Sequence, residues 1–309
     1  MLRHSRTLQL DLGGRLDAER RERGAHRRRE VVPDHPLIVT FAPVLTSLRT
    51  GQTLAFDRLG NPDAPPIVLL HGLSGSRLSY GAVVAHLEGD VWNVDLRGHG
   101  ESSRATLESY DAQSYAADVA ALIESEIRRP ALVVGHSLGG VAAAQLGRSR
   151  PDLVAAVFLE DPPLYEGDAQ RRENSPTAKF FPQLIAAVRE LQDRSAPVDD
   201  YLPLVTEPTA EEASARCASL HRWDPTTMEA AVAGIVWSGF DPDAVLSCPV
   251  TIVRADPTLA VFTADDADRF AAANPHARIH AVPGASHTVH ASPTLAPYLT
   301  HLQAFVRDP

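Results

Sequence analysis

The stretch Ala131-Leu132-Val133-Val134-Gly135-His136-Ser137-Leu138-Gly139-Gly140 joins an apolar run to a Gly-x-Ser-x-Gly pattern, and an alanine-rich segment follows it. The pattern predicts a buried strand, a sharp turn and a helix. The glycines allow the serine a positive φ, a conformation that costs of order 1 to 3 kcal/mol. Its hydroxyl would then stand clear of the backbone at the carboxyl end of a sheet, which makes Ser137 the candidate nucleophile.

The composition is that of a globular protein that can bury a large core. The chain has 309 residues, of which 44% are hydrophobic and 22% charged. A net charge of -10 argues against nucleic acid as a partner. Cys217 and Cys248 are too few for a disulfide framework and are expected to be reduced. No apolar run could span a bilayer and the N-terminus lacks the apolar core of a secretory signal, so we expect a cytoplasmic location.

Changes in pattern divide the chain into three parts. Residues 1–35 are polar and arginine-rich and predict a solvated N-terminal extension. Residues 36–162 and 246–309 alternate short apolar runs with helical patterns, which predicts an α/β core with a mostly parallel sheet. Residues 163–245 are polar, contain prolines and have mostly helical patterns. We interpret them as a helical cap, or lid, inserted between two strands of the core.

Individual elements of the core can be predicted from the same patterns. Leu37–Phe41 and Thr53–Asp57 indicate an antiparallel pair closed by a turn at Thr50-Gly51. Further strands are predicted over 66–70, 91–95, 131–136, 153–159, 249–255 and 278–282, and helices over 77–88, 114–128, 263–273 and 293–306. Ligands of such sheets bind at the carboxyl ends of the strands.

A serine hydroxyl needs a base of near-neutral pKa, because it is a poor nucleophile on its own. His287 follows the last predicted strand and a glycine turn, which places it on the same rim of the sheet as Ser137. His290 is the rival base. His71 and His99 lie in glycine loops, and we expect them to hold those loops by hydrogen bonds.

The acid that orients the base has several candidates. Asp256 ends the strand over 249–255, a position from which a carboxylate could orient the imidazole, and it is the first choice. Glu160 ends the preceding strand of the sheet and is the alternative acid. Three further aspartates also stay open: Asp161, Asp265 and Asp266. Glu160 and Asp161 could instead cap the chain where it leaves the sheet.

An oxyanion hole requires two donors aimed at the developing negative charge. The backbone amides of Leu73 and Leu138 fit this role, since one lies in the loop after the strand over 66–70 and the other follows the nucleophile. The two leucine side chains would form part of the wall of the substrate pocket.

Four ordered motifs together resemble the α/β-hydrolase fold family over residues 37–306. They are His71-Gly72, Asp95-Leu96-Arg97-Gly98-His99-Gly100-Glu101-Ser102, Gly135-His136-Ser137-Leu138-Gly139 and Gly284-Ala285-Ser286-His287. The resemblance implies an eight-stranded, mostly parallel sheet with helices on both faces and a helical cap over a Ser-His-acid site. It implies no metal and no organic cofactor. Family members more often place the acid two or three residues past a glycine, unlike Arg254-Ala255-Asp256-Pro257, which keeps Glu160 open.

The resemblance also narrows the reaction. Epoxide hydrolases and dehalogenases of this fold use an aspartate where this chain has Ser137, so neither reaction is expected. We expect hydrolysis of a small-molecule carboxylic ester or lactone through an acyl-enzyme. Carbon-carbon bond hydrolysis of β-diketone-like acids and a ligand receptor without turnover remain as alternatives. A homodimer is left open as the oligomeric state.

Overall fold

An eight-stranded sheet runs through the part of the chain described by the computed structural model, residues 43–175 and 177–309. The strands are β1 (Val44–Ser47), β2 (Thr53–Gly60), β3 (Pro66–Leu70), β4 (Asp90–Asp95), β5 (Ala131–His136), β6 (Val154–Glu160), β7 (Val250–Arg254) and β8 (Arg278–Ala281). Their order is β1-β2-β4-β3-β5-β6-β7-β8. β2 runs antiparallel to β1 and β4, and all other neighbouring pairs are parallel. The predicted α/β architecture is confirmed.

Helices cover both faces of this sheet. They are α1 (Gly81–Val84), α2 (Ala112–Leu122), α3 (Leu138–Ser149), α4 (Ala169–Asn174), α5 (Thr177–Asp193), α6 (Ala210–Arg222), α7 (Thr226–Val232), α8 (Ala264–Ala273) and α9 (Leu295–Arg307). Side chains of α2, α3 and α8 pack on one face of the sheet, and those of α1 and α9 pack on the other. Among the helices described, none is both long and apolar enough to cross a bilayer.

The central strands are apolar along their whole length because both of their faces are covered. All residues of β3 and β5 are buried. Val68 and Val133 point into the core beneath α2 and α3, whereas Ile67 and Val134 point into the core beneath α9. This continuous burial is typical of parallel strands between two helical layers.

The N-terminal hairpin differs from the prediction in one of its strands. The predicted turn is present, with Gly51 at φ +82° and the amide of Leu48 donating to the carbonyl of Gln52. β2 pairs with Val44–Ser47, because so tight a turn lays the residues just before it alongside β2. Leu37–Phe41, like the extension 1–35, lies outside the described residues.

The helix predicted over 114–128 changes form before its predicted end. Regular α2 stops at Leu122, and a π-helical turn follows over Ile123–Ile127. Arg128 then takes a left-handed φ of 62°, with its amide donating to the carbonyl of Ile123. Two residues later the chain reaches Pro130, and helices usually end before a proline.

The segment between β6 and β7 has a small core of its own. Its helices α4 to α7 lie within the region that the sequence predicts to be mostly helical. Tyr201, Leu220 and Trp223 are fully buried there, together with Val188 and Met228. This segment therefore has a third apolar cluster, separate from the cores on the two faces of the sheet.

Packing of α9 on the sheet can be tested at Phe158. This residue of β6 is fully buried, and its ring centroid lies 5.7 Å from that of Tyr298 and 5.4 Å from that of Phe305. We expect Phe158→Ala to lower the free energy of unfolding by about 3 to 5 kcal/mol in urea titrations. Phe180→Ala, at an exposed phenylalanine, is the matched control and should change it by less than about 0.5 kcal/mol. Equal effects of the two substitutions would contradict this packing.

Candidate active site

The order of the strands reverses next to β3, which creates a crevice at the carboxyl ends of β3 and β5. β4 lies on one side of β3 and β5 lies on the other. Leu70 is paired with Gly135, so the two strands end level with each other. Such a switch point is where open α/β sheets bind their ligands. The loop over 71–75 and the turn at Ser137 therefore lie side by side.

Ser137 occupies the strained turn between β5 and α3. Its φ is +50°, and its amide donates to the carbonyl of Glu160 at 3.0 Å. Two residues on, the amide of Gly139 donates to the carbonyl of His71 at 3.1 Å. A Cβ at Gly139 would overlap the carbonyl of Leu70, so only glycine lets α3 approach β3 this closely.

A chain of two hydrogen bonds links Ser137 to a buried carboxylate. Ser137 Oγ lies 2.9 Å from Nε2 of His287, and Nδ1 of His287 lies 2.6 Å from Oδ2 of Asp161. With a neutral imidazole, the hydroxyl donates to Nε2 and the Nδ1–H donates to the carboxylate. The Nε2–H of His136 donates to the carbonyl of His287 at 3.1 Å, which anchors the backbone of the loop. Burial lowers the pKa of His136 to about 3, so this ring is neutral.

Backbone amides hold Asp161 in its orientation. The residue is fully buried and has a φ of +39°. One carboxylate oxygen accepts the amide N–H of Val261 at 3.0 Å, and the other accepts those of Phe262 at 3.2 Å and Ala255 at 3.4 Å. The loops after β7 therefore position the carboxylate that contacts His287.

The structure corrects the expectation for Asp256. Its carboxylate accepts the amide of Gly284 at 2.9 Å, and the amide and hydroxyl of Thr258 at 3.0 and 2.8 Å. These bonds hold the pKa of Asp256 below its usual range. The side chain thus fixes the glycine turn ahead of His287 and does not bond to the imidazole, whose carboxylate partner is Asp161.

Glu160, the alternative acid, belongs to a different pair. Both of its oxygens lie 2.8 Å from Nδ1 of His290, and one accepts the amide of His290 at 3.0 Å. Burial alone would raise the pKa of Glu160, but the contacts with His290 outweigh it and lower the pKa to about 2. Successive residues at a strand end point to opposite faces, so only one of these adjacent acids reaches His287. The rival base, His290, is likewise bonded to Glu160.

The two remaining aspartates lie in the first turn of α8. Asp266 accepts the amide of Thr263 and binds the guanidinium of Arg171 from α4, at 2.6 Å. Asp265 is exposed. In the part of the chain that the structure describes, the carboxylate bonded to His287 is that of Asp161 and neither of these two.

The amides expected to form an oxyanion hole lie next to Ser137. Leu138 is the first residue of α3, where the helix dipole favours negative charge. A Cβ at Gly72, next to Leu73, would lie 3.2 Å from Cβ of Ser137. Among the described residues, neither the Leu73 nor the Leu138 amide donates to a protein acceptor. Both are therefore available to a ligand.

Two neutral histidines brace the loop over 71–75. His71 donates from Nδ1 to the carbonyl of Gly72 at 2.8 Å and accepts the amide of Leu96 at Nε2. His99 accepts the amide of Ser74 at Nε2, 3.2 Å away, and donates from Nδ1 to a backbone carbonyl. Because Nε2 accepts an amide and Nδ1 faces a carbonyl, each ring is neutral with its proton on Nδ1. Burial lowers the pKa of both rings, which favours the neutral form. The loop is fixed as the sequence analysis expects.

Local sequence patterns do not single out two residues of the site, Asp161 and His136. They favour Asp256 and Glu160 over Asp161, and they give His136 no role. Asp161 directly precedes Pro162-Pro163, and aspartate tolerates the left-handed backbone that takes the chain out of the sheet. That combination was the available signal. Over residues 43–175 and 177–309, no group of three or more His, Cys, Asp or Glu side chains is arranged to hold a metal ion.

Known proteins resemble this chain in sequence or in fold. Esterase Rv0045c of Mycobacterium tuberculosis is 28% identical over 240 residues, covering 73% of this chain and 78% of the esterase. A thermophilic esterase from Thermogutta terrifontis superposes with a TM-score of 0.62 at 22% identity, over 86% of this chain and 98% of that chain. This second likeness concerns the fold.

Other relatives match over shorter stretches. The sn-1-specific diacylglycerol lipase ABHD11 of Mus musculus is 37% identical over 106 residues, 33% of this chain. The match spans 34% of that lipase, so the chain covers about a third of its length. A family model described as the alpha/beta hydrolase family matches residues 67–296, which include all three members of the Ser137–His287–Asp161 chain. The protein belongs to the alpha/beta hydrolase family.

Proposed function

We propose that this protein is a serine hydrolase that cleaves a small-molecule carboxylic ester or lactone through an acyl-enzyme on Ser137. The observation that carries the proposal is the continuous hydrogen-bonded chain from Ser137 Oγ through His287 to Asp161, with distances of 2.9 and 2.6 Å. Relatives named as esterases and lipases support an ester substrate.

In the first half-reaction, Oγ of Ser137 attacks the carbonyl carbon while Nε2 of His287 takes the hydroxyl proton. Asp161 stabilises the imidazolium, and the amides of Leu73 and Leu138 bind the oxyanion. The tetrahedral intermediate then breaks its bond to the leaving oxygen, which receives the proton from Nε2. For a lactone, the leaving alcohol stays attached to the acyl group.

In the second half-reaction, water replaces the alcohol. Nε2 of His287 takes a proton from the water as its oxygen attacks the acyl carbon, and the same amides bind the second oxyanion. Release of Oγ returns the proton to Ser137 and frees the carboxylic acid. These steps use the protein's own side chains, two backbone amides and water.

We further propose that the helical segment over 163–245 acts as the lid of this site. Hydrogen bonds join this segment to the loops that follow β3 and β4. Ser219 Oγ lies 2.7 Å from Ser76 Oγ, and the amide of Asp224 donates to the carbonyl of Gly98 at 2.8 Å. The phenol of Tyr110 adds a bond to the carboxylate of Asp224 at 2.7 Å. These contacts support a position over the carboxyl ends of β3 and β4, from which the segment would select the acyl group.

The nucleophile can be tested by Ser137→Ala. We expect kcat for a short p-nitrophenyl ester to fall by about 10⁵- to 10⁶-fold, because the covalent route is lost. Ser149→Ala, at an exposed serine that ends the same helix, is the matched control and should leave kcat unchanged. Steady-state kinetics of both purified variants decide, and full activity of Ser137→Ala would sink the proposal.

The acid can be tested by comparing Asp161→Asn with Asp256→Asn. The first change removes the charge that orients and stabilises the imidazolium, so kcat should fall by about 10³- to 10⁴-fold. The second loosens the turn at Gly284 and should reduce kcat by less than about tenfold. The same ester assay measures both, and a collapse confined to Asp256→Asn would restore Asp256 as the acid.

A structural role for Glu160 predicts a pH dependence of stability. Its pKa of about 2 lies below the ordinary 4.5, so the folded state gains roughly 3 kcal/mol above pH 4.5. That gain is lost as the pH falls from 4.5 towards 2. The stability difference between parent and Glu160→Gln, measured by urea titration, should thus be largest above pH 5 and shrink below it. His290 and His136, which face Glu160, are common to both proteins. A difference independent of pH would contradict the pairing.

A further inference from the structure

Ser74 follows the proposed oxyanion residue Leu73 and has an unfavourable backbone conformation. Its φ is +60°, in the left-handed region that costs a residue other than glycine of order 1 to 3 kcal/mol. Its hydroxyl donates to the carbonyl of Leu73 at 2.6 Å, and its amide donates to His99. The position of the Leu73 amide therefore depends on contacts that hold Ser74 in place.

One of those contacts comes from the helical segment between β6 and β7. Nη1 of Arg216, in α6, donates to the carbonyl of Ser74 at 2.6 Å, and Nη2 donates to its hydroxyl at 2.9 Å. The carboxylate of Glu207 lies 3.4 Å from Nε. Burial lowers the pKa of Arg216, yet a guanidinium stays charged in proteins. A partly buried cation thus bonds to the carbonyl and the hydroxyl of the strained residue.

We infer that Arg216 is a positioning residue for the reaction, which holds the Leu73–Ser74 backbone so that the Leu73 amide faces the oxyanion. The inference rests on the proposed function. Two of the guanidinium nitrogens are bonded to Ser74 and the third faces Glu207, so Arg216 acts through the loop and need not touch the substrate. It also joins the proposed lid to the oxyanion loop, beside the bond between Ser219 and Ser76.

Removing the guanidinium should weaken stabilisation of the transition state. A donor displaced by about 1 Å costs up to about a hundredfold in rate, and full loss of one costs 10²- to 10³-fold. We expect Arg216→Gln to lower kcat for neutral p-nitrophenyl acetate by about 10- to 100-fold with KM nearly unchanged. Arg216→Lys keeps the charge but loses the planar guanidinium that donates to both acceptors of Ser74, so kcat should fall by about 3- to 10-fold.

Arg222→Gln provides the matched control. Arg222 lies at the end of the same helix, is 55% exposed and has its guanidinium 3.8 Å from Glu101. An exposed pair of this kind contributes little. The control should therefore stay within about twofold of the parent in both kcat and KM.

A trifluoromethyl ketone reports on the oxyanion hole directly. Oγ of Ser137 adds to its carbonyl carbon, the hydroxyl proton moves to Nε2 of His287, and the oxygen becomes an anion facing the Leu73 amide. The inhibition constant should rise in Arg216→Gln by the same factor as kcat/KM falls. Circular dichroism and thermal melting of each variant show whether the fold is kept, and Arg216→Lys decides if Arg216→Gln does not fold.

The outcomes separate this inference from the proposed function. A parent that neither turns over esters nor binds the ketone overturns both. If the parent turns over esters and binds the ketone, but Arg216→Gln and Arg222→Gln have the same kcat and inhibition constant, the inference alone is overturned. The inference is also overturned if Arg216→Gln changes only KM. It is overturned as well if Arg216→Lys folds and has the kcat of the parent. A matched loss in kcat/KM and ketone affinity supports Arg216 as the residue that positions the oxyanion loop.

Discussion

The contact between Gly139 and the end of β3 is the constraint on which the site depends. A Cβ at residue 139 would overlap the carbonyl of Leu70. Because Gly139 has none, α3 can begin directly against the loop over 71–75. The amide of Gly139 adds a hydrogen bond to the carbonyl of His71. The backbone of Ser137, next to this contact, is strained, and the surrounding sheet and helices hold it in that conformation. Ser137 and the loop over 71–75 are thereby fixed relative to each other.

Arginines from the helical segment between β6 and β7 reach the loops on both sides of this turn. Arg216 of α6 binds Ser74 beside the proposed oxyanion residue. Arg171 of α4 donates to the carbonyl of Val261 at 3.1 Å, and the amide of Val261 in turn donates to Asp161. The proposed lid is thus bonded to the backbone beside Asp161, the proposed acid, and beside Leu73, the proposed oxyanion residue. A shift of α4 would therefore disturb the contacts of Asp161, and a shift of α6 would disturb those of Ser74.

Most of the fold could be predicted from the sequence, whereas the carboxylate partner of His287 could not. Continuous apolar runs mark β3 and β5 because both of their faces are buried, and the glycines around Ser137 mark the turn. The choice among Asp161, Glu160 and Asp256 depends on which side of the sheet the last residue of a strand faces and on where the loop after β8 crosses back. Those are long-range properties that local patterns do not contain. The bonds of Arg216 to Ser74 join residues distant in sequence and carry no motif.

Covalent trapping of the acyl-enzyme tests the central claim most directly. The protein would be mixed with p-nitrophenyl acetate, quenched in acid during turnover and digested for peptide mass spectrometry. The account predicts one added acetyl group on the peptide containing Ser137, and its absence from that peptide in the Ser137→Ala protein. Turnover without a covalent adduct, or an adduct formed during turnover only on another residue, would contradict it.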